Sequence, residues 1–361
     1  MHRTYNILIL GASYGSLLGA KLLFAGHDVT LVCLPAEAAL INSEGFRVRM
    51  PAKDAKRDVE LDTRKAPGQV RAASAADADP ARYDLIVLAM QEPQYASAGV
   101  RELMRRVAAS RVPCMSIMNM PPLAYLARIP AIDTASLRDC YTDASVWDAF
   151  DPALITLCSP DPQAFRPPGE KINVLQVSLP TNFKAARFPS DASTAMLRDL
   201  ERDIDALRFP TPDGDVELPV KLRVHDSVFV PLAKWSMLIA GNYRCVQPTG
   251  MQSIRDAVHG DLAASRRIYD FVGDVCRKLG ASAGDLVPFD KYANAARGLA
   301  KPSSAARALE AGAVNIERVD RLVKTIASRH GMRDEALDRI VARVDDWLAR
   351  NRARQAEKTP A

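Results

Sequence analysis

Residues 11 to 19 read Gly11-Ala12-Ser13-Tyr14-Gly15-Ser16-Leu17-Leu18-Gly19, a glycine-spaced turn of the kind that can hold a pyrophosphate. In a dinucleotide turn the first glycine permits the tight bend, and the second lets backbone approach the phosphates. The third lets helix and strand pack closely, while the helix N-terminus supplies amide donors. Here Gly11 opens the turn, Ser13 replaces the middle glycine, Tyr14 follows it, and Gly15 arrives one residue early. Its place directly after an apolar strand and before an amphipathic helix is the context such a turn requires. The rival reading is a glycine turn that holds no ligand.

Other polar residues could act on a carbonyl. Reducing C=O or C=N with a nicotinamide cofactor needs a donor to the developing anion. Lys234 suits that role, because its ammonium emerges from the apolar run Pro231-Leu232-Ala233-Lys234-Trp235; the alternative is a lysine snorkelling to the surface. On a helix Lys234, Leu238 and Asn242 fall within about 80° of one another at roughly 100° per residue, which puts ammonium and amide on one face. Asn119 ends an apolar strand ahead of Met120-Pro121-Pro122, either lining the crevice at the strand ends or capping the next helix. His225, beside Asp226, is a competing proton donor or a plain surface histidine. Asp143, Trp147 and Asp148 could line an amine pocket or belong to a turn.

The elements that must position these residues begin with a strand over 5–10, the turn, and a helical pattern over 16–25 that stops at Gly26. Strands follow over 28–33, 84–90 and 112–118, with a helix through Val107 and edge structure or loop over 51–80. The run over 84–90 is apolar on both faces, as a sheet covered by helices requires. Strand, glycine turn, helix and strand at this spacing predict a Rossmann-type α/β unit with a parallel sheet. Residues 141–224 suggest strands over 154–158 and 172–179, and a helix over 191–207 with Asp191 as its cap. From Phe229 onward the patterning is helical, over 232–245, 254–280 and 337–348. We therefore expect a dinucleotide-binding domain over 1–228, an all-helical domain over 229–350 and a flexible tail over 351–361.

Composition narrows the class. The 361 residues are 48% hydrophobic and 25% charged, as in an ordinary globular protein of about two domains. No apolar run reaches the roughly 18 residues of a spanning helix, and the start reads as a strand opening a fold, not an export signal. Of the net +5, Arg350, Arg352, Arg354 and Lys358 against Glu357 contribute +3, so no basic stripe marks a nucleic-acid groove. The six cysteines are scattered without a C-x-x-C pair, which argues against zinc and fits a reducing cytoplasm.

The stretches LILGASYGSLLGAKLLFAGHDVTLV, DLIVLAMQEPQ, SIMNM and LAKWSMLIAGNYRCVQPTG resemble the ketopantoate reductase family over about residues 5–125 and 228–345. The resemblance implies an N-terminal Rossmann domain that binds NADPH and a helical domain whose lysine protonates the substrate oxygen. That lysine falls on Lys234, the family asparagine eight residues later on Asn242, the asparagine at the cofactor ring on Asn119, and a substrate serine on Ser303 or Ser304. Gln91 stands where a cofactor-contacting lysine is usual, Leu34 where an arginine follows the second strand, and Leu238 where an asparagine is usual. The family's acidic substrate residue aligns with Ile316, with Glu317 beside it.

Cys33-Leu34-Pro35-Ala36 carry neither the acid that binds a ribose hydroxyl nor the base that binds a 2′-phosphate. The resemblance implies NADP(H), and NAD(H) stays open. The expected activity is reduction of a small 2-oxo acid or related carbonyl by a cytoplasmic homodimer that binds neither nucleic acid nor membrane. Two alternatives are an opine-type dehydrogenase with His225 as acid and a dinucleotide-sensing protein without turnover.

Overall fold

A computed structural model describes residues 3–52, 58–212 and 214–358. They divide into two compact units, one of residues 1–90, 94–128 and 145–231, the other of residues 91–93, 129–144 and 232–361. The expected boundary at 228/229 thus falls at 231/232, and two earlier segments join the helical unit. One of them, residues 129–144, is held there by a bond between His330 Nε2 and the Ala131 carbonyl (2.9 Å) and by a Cys140 Sγ–Thr325 Oγ1 contact of 3.7 Å.

The first unit is built on a sheet of eight strands: β1 (Asn6–Leu10), β2 (Asp28–Val32), β3 (Val70–Ala73), β4 (Leu85–Leu88), β5 (Cys114–Ile117), β6 (Ile155–Ser159), β7 (Phe183–Ala186) and β8 (Leu222–His225). Their order is β8-β7-β6-β5-β4-β1-β2-β3. All neighbours pair in parallel except β6 and β7. The run 3-2-1-4-5-6 is the dinucleotide-binding order, with its switch point between β1 and β4. Ile7 to Leu10 and the whole of β4 are buried, as strands covered on both faces must be. Helix α1 (Gly15–Phe24) returns the chain from β1 to β2, and α2 (Pro35–Glu44) begins with proline in its first turn, where a missing N–H costs nothing.

The middle of the chain completes this sheet and builds a second one. Residues 47–50 and 59–62, ahead of β3, pair with residues 163–165 and 174–179, between β6 and β7. Helix α3 (Asp191–Asp205) is capped by Ser190, whose hydroxyl accepts the Ser193 N–H at 3.3 Å; Asp191 is the first helical residue and not the cap.

The second unit is helical. The stretch expected as one helix over 254–280 is two, Ile254–His259 and α4 (Leu262–Leu279), because the Asp261 carboxylate takes the Ala264 N–H (2.8 Å) and starts a new helix. Gly280, at φ 117°, ends α4 as a left-handed cap. The last helix, Glu335–Lys358, runs through most of the expected tail. Asn351 holds it there, buried and donating to the Leu309 (2.8 Å) and Ala313 (2.9 Å) carbonyls. No helix of the described residues is long and apolar enough to cross a membrane.

Candidate active site

Gly11 leaves β1 at φ +104°, a conformation that favours glycine. A Cβ there would sit 2.6 Å from Met90 Cγ and 2.8 Å from the Ala89 carbonyl, so the turn lies directly against the end of β4. Gly11 N–H is tied to the Val32 carbonyl (2.9 Å), and Ala89 N–H to the Leu10 carbonyl (2.9 Å). At Gly15 a Cβ would meet Ile9 Cγ2 at 2.5 Å. Gly15 therefore does the close-packing work of the third glycine although it comes a residue early. Ser13 is exposed at the lip of the turn. Tyr14, the residue before α1, makes no side-chain cap, so the first amides of α1 lack a side-chain acceptor.

The Tyr14 side chain turns away from such a ligand. Its hydroxyl donates to the Pro162 carbonyl, and its ring meets Phe183 edge-on with centroids 5.9 Å apart. Burial, with Asp161 nearby, pushes the phenol well above its ordinary range. Only the backbone of Tyr14 is placed to serve a cofactor. Asn119 lies two residues beyond β5, two strands from β1 and at the same carboxyl end. The short helix that follows, Leu123–Leu126, has Pro122 at its N-cap, so Asn119 is not that helix's cap. His225 ends β8, five strand spacings or about 24 Å from β1. Burial and the nearby Lys184 lower its pKa, which disfavours the charged form an acid needs. Trp147 is buried against Tyr95 and Phe150, as core and not as a pocket wall.

The remaining candidates belong to the second unit. Lys234 is half-buried and opens a short helix, Lys234–Met237. The segment expected as one regular helix over 232–245 then widens into a π turn over Leu238–Asn242. Such turns rotate less per residue than an α-helix, so the 100° spacing does not carry through to Asn242. The cause is local packing. Tyr292 donates to the Met237 carbonyl (3.1 Å), and a Cβ at Gly241 would lie 1.9 Å from that hydroxyl. Ser303, expected to touch substrate, is buried and already engaged. Its hydroxyl donates to the Asn242 carbonyl (2.8 Å) and accepts the Ala306 N–H (3.2 Å) at the start of the next helix. Ser303 fixes the backbone of Asn242.

Gln91 is exposed and precedes Glu92, a buried carboxylate absent from the sequence candidates. Thr142 donates to Glu92 through its N–H (2.9 Å) and Oγ1 (2.8 Å), and Glu92 N–H faces Glu317 Oε1 at 3.4 Å. The Glu317 backbone is anchored by the Tyr243 hydroxyl, which donates to its carbonyl, while Ile316 is buried. Burial pushes the Glu92 carboxyl up to about 7; the Thr142 donors oppose this and the Glu317 charge adds to it. The folded value exceeds the ordinary 4.5, so stability from this group is present below about pH 4.5 and lost as pH rises through about 7. Glu92→Gln is expected to flatten that slope in urea unfolding between about pH 5 and about pH 7. Parallel slopes for the two proteins would refute the assignment.

Residues 7–119 match the family described as Ketopantoate reductase PanE/ApbA. That match covers less than a third of the chain. The match spans the β1 turn, the end of β4 and Asn119, and stops before the helical stretch from residue 232 onward. Solved structures extend the fold likeness to nearly the whole chain. The 2-dehydropantoate 2-reductase from Methylococcus capsulatus is 16% identical at a TM-score of 0.65, covering 96% of this chain and 97% of its own. D-mandelate dehydrogenase, solved with NADH and anilino(oxo)acetate, is 13% identical at 0.62, covering 96% and 99%. A dimeric ketopantoate reductase from Staphylococcus aureus is 10% identical at 0.59, covering 96% and 99%. At these identities the likeness shows the fold alone. Among curated proteins no sequence match was found.

Proposed function

We propose that this ketopantoate-reductase relative is an NAD(P)H-dependent oxidoreductase that reduces a small 2-oxo acid or related carbonyl. The observation that carries the reading is the β1 turn at the sheet's switch point. Gly11 needs its left-handed φ, Gly15 its close approach to Ile9, and the start of α1 carries no side-chain cap. These residues fit a dinucleotide. The backbone of Gly11, Ser13, Tyr14 and Gly15 would hold its pyrophosphate, and Asn119 and Gln91 are the proposed contacts for its nicotinamide end. The bound cofactor supplies the reducing equivalent as hydride.

The chain's own residues do the rest. Lys234 donates a proton to the substrate oxygen, Asn242 orients the substrate, and Ser303 holds Asn242 in place. Leu238, buried at the start of the π turn, replaces the asparagine of the family pattern, and this loss of a polar group favours a bulkier or more apolar acceptor than ketopantoate. A homodimer is the expected assembly, by analogy with the dimeric Staphylococcus enzyme. A cytoplasmic location is in keeping with the six free thiols.

The test has two stages: fluorescence titration with NADPH and NADH, then reduced-cofactor absorbance across 2-oxo acids with and without amines. Saturable binding with oxidation by a 2-oxo acid alone is the expected result. Oxidation only when an amine is supplied would replace this reading with the opine-type reaction. Binding without oxidation across the panel would replace it with a sensing role.

A further inference from the structure

We infer that Arg166, carried by the connection between β6 and β7, supplies the cation for a 2′-phosphate at the end of β2, so that the site prefers a 2′-phosphorylated dinucleotide. This rests on the dinucleotide reading above and concerns a residue that no motif singled out.

The end of β2 is where a Rossmann fold meets the adenosine ribose. Its own residues offer no charge there: Cys33 is half-buried, Leu34 is 71% exposed, and Pro35 and Ala36 follow. The first charged side chain of α2 is Glu37, and Arg166 Nη2 donates to its Oε1. The two partners are unequally placed. The carboxylate is 7% exposed and the guanidinium 31%, so the cation is the outer member of the pair. That one hydrogen bond uses a single donor of a fork that carries five. The remaining N–H groups suit a phosphate, which a guanidinium binds in bidentate fashion. Behind it, Glu37 holds the guanidinium through one nitrogen.

The path of the connection supports the placement. Pro162 receives the Tyr14 hydroxyl from the β1 turn, Asp161 pairs with Lys184 at 3.1 Å, and Arg166 reaches α2. A stretch of six residues thus touches both turns that a dinucleotide would contact. Arg166 directly follows the strand 163–165, whose pairing with 174–179 (Phe165 opposite Gln176) makes its base part of the second sheet. The cation that Leu34 lacks has come from another part of the chain.

The experiment measures dissociation constants of NADPH and NADH for the wild type, Arg166→Ala and Arg166→Gln by fluorescence titration. It also measures displacement of NADPH from the wild type by adenosine 2′,5′-bisphosphate against 5′-AMP. Charge-assisted bonds of this kind are each worth about tenfold to a hundredfold in affinity. We expect the wild type to favour NADPH and the bisphosphate by such a factor. Both variants should lose it while NADH affinity stays within about threefold. An unchanged NADPH-to-NADH ratio in a variant that still binds NADH overturns the role of Arg166. So does a wild type that binds NADH more tightly, which would make Glu37 the ribose ligand. Should the variants not fold, equal displacement by the bisphosphate and 5′-AMP overturns it on the wild type alone. If the wild type binds neither dinucleotide, the cofactor reading itself falls and this inference with it.

Discussion

Lys234→Ala is expected to lower kcat by about 10²- to 10⁴-fold while the dissociation constant of the reduced cofactor stays the same. The range is that of a positioned general acid, and it follows from what reduction demands. As the carbonyl carbon gains its hydrogen, the oxygen becomes an alkoxide, and a donor aimed at it lowers the barrier more than it tightens the ground state. Lys234 follows the buried residues Leu232 and Ala233 and precedes buried Trp235, so its ammonium stands on an anchored segment and not on a mobile arm. Loss of kcat with KM little changed would mark a group that acts in the transition state. Lys234→Arg separates charge from proton donation. Guanidinium keeps the positive charge and stays protonated, so it is expected to leave substrate binding intact and to restore little turnover. Stopped-flow measurement of cofactor oxidation under single-turnover conditions checks the step directly. Turnover in Lys234→Ala within a few-fold of wild type would remove Lys234 from the mechanism.

The candidate residues of the two units differ in how much of them can be read from sequence, and the reason is sequence separation. The β1 turn is legible because its determinants are local. Gly11 and Gly15 sit between a strand and a helix, and Gly15 answers to nearby Ile9; only Gly11 also meets residues far along the chain, Ala89 and Met90. The departures there, Ser13 for glycine and Gly15 a residue early, blur the motif without changing the geometry. Asn119 was readable as a strand-end residue, and only the structure removed the capping role, because Pro122 takes it.

What escaped depends on partners far along the chain. The π turn ahead of Asn242 exists because Tyr292 presses its hydroxyl against Gly241, and a periodicity argument over residues 232–245 holds no trace of Tyr292. Ser303 looked like a substrate ligand because a serine near the last helices suits that role, yet its hydroxyl is taken up by Asn242 and Ala306. Glu92 and Arg166 were overlooked for the same reason. Each is an ordinary charged residue in sequence, and each gains its meaning from Thr142 and Glu317, or from Glu37. The middle of the chain was hard to read because strands 47–50 and 174–179 find each other across more than a hundred residues, and no local signal encodes that pairing. The tail looked solvated from its charge, but one residue, Asn351, supplies two buried hydrogen bonds that extend the helix.

Lys21→Met is expected to stabilise the protein, an unusual direction for a change inside the core. Lys21 lies in α1 of the first unit, fully buried, with Nζ 2.8 Å from the Pro219 carbonyl. Burial is the main reason its pKa falls from 10.5 to about 7; Lys221 lowers it further, and Glu217 and Asp205 oppose both. The unfolded chain keeps its proton up to the ordinary value, so between about pH 7 and about pH 10 it binds more protons than the folded one. Stability therefore rises with pH across that window and falls as pH drops toward 7. At about 1.4 kcal/mol per unit, the shift amounts to a penalty of several kcal/mol near pH 7. Methionine fills the same space without a charge. It leaves the Pro219 carbonyl without its donor, which costs about 1–3 kcal/mol and reduces the gain to roughly 2–4 kcal/mol. Thermal unfolding should show a melting temperature several degrees higher at about pH 6.5, with the gap closing toward about pH 9.5. Cofactor affinity should be unchanged, since Lys21 sits beyond the first turn of α1 and not at the phosphate end. A lower melting temperature would mean that the bond to Pro219 outweighs the burial of Lys21, and an increase that is the same at both pH values would mean that Lys21 does not titrate in this window.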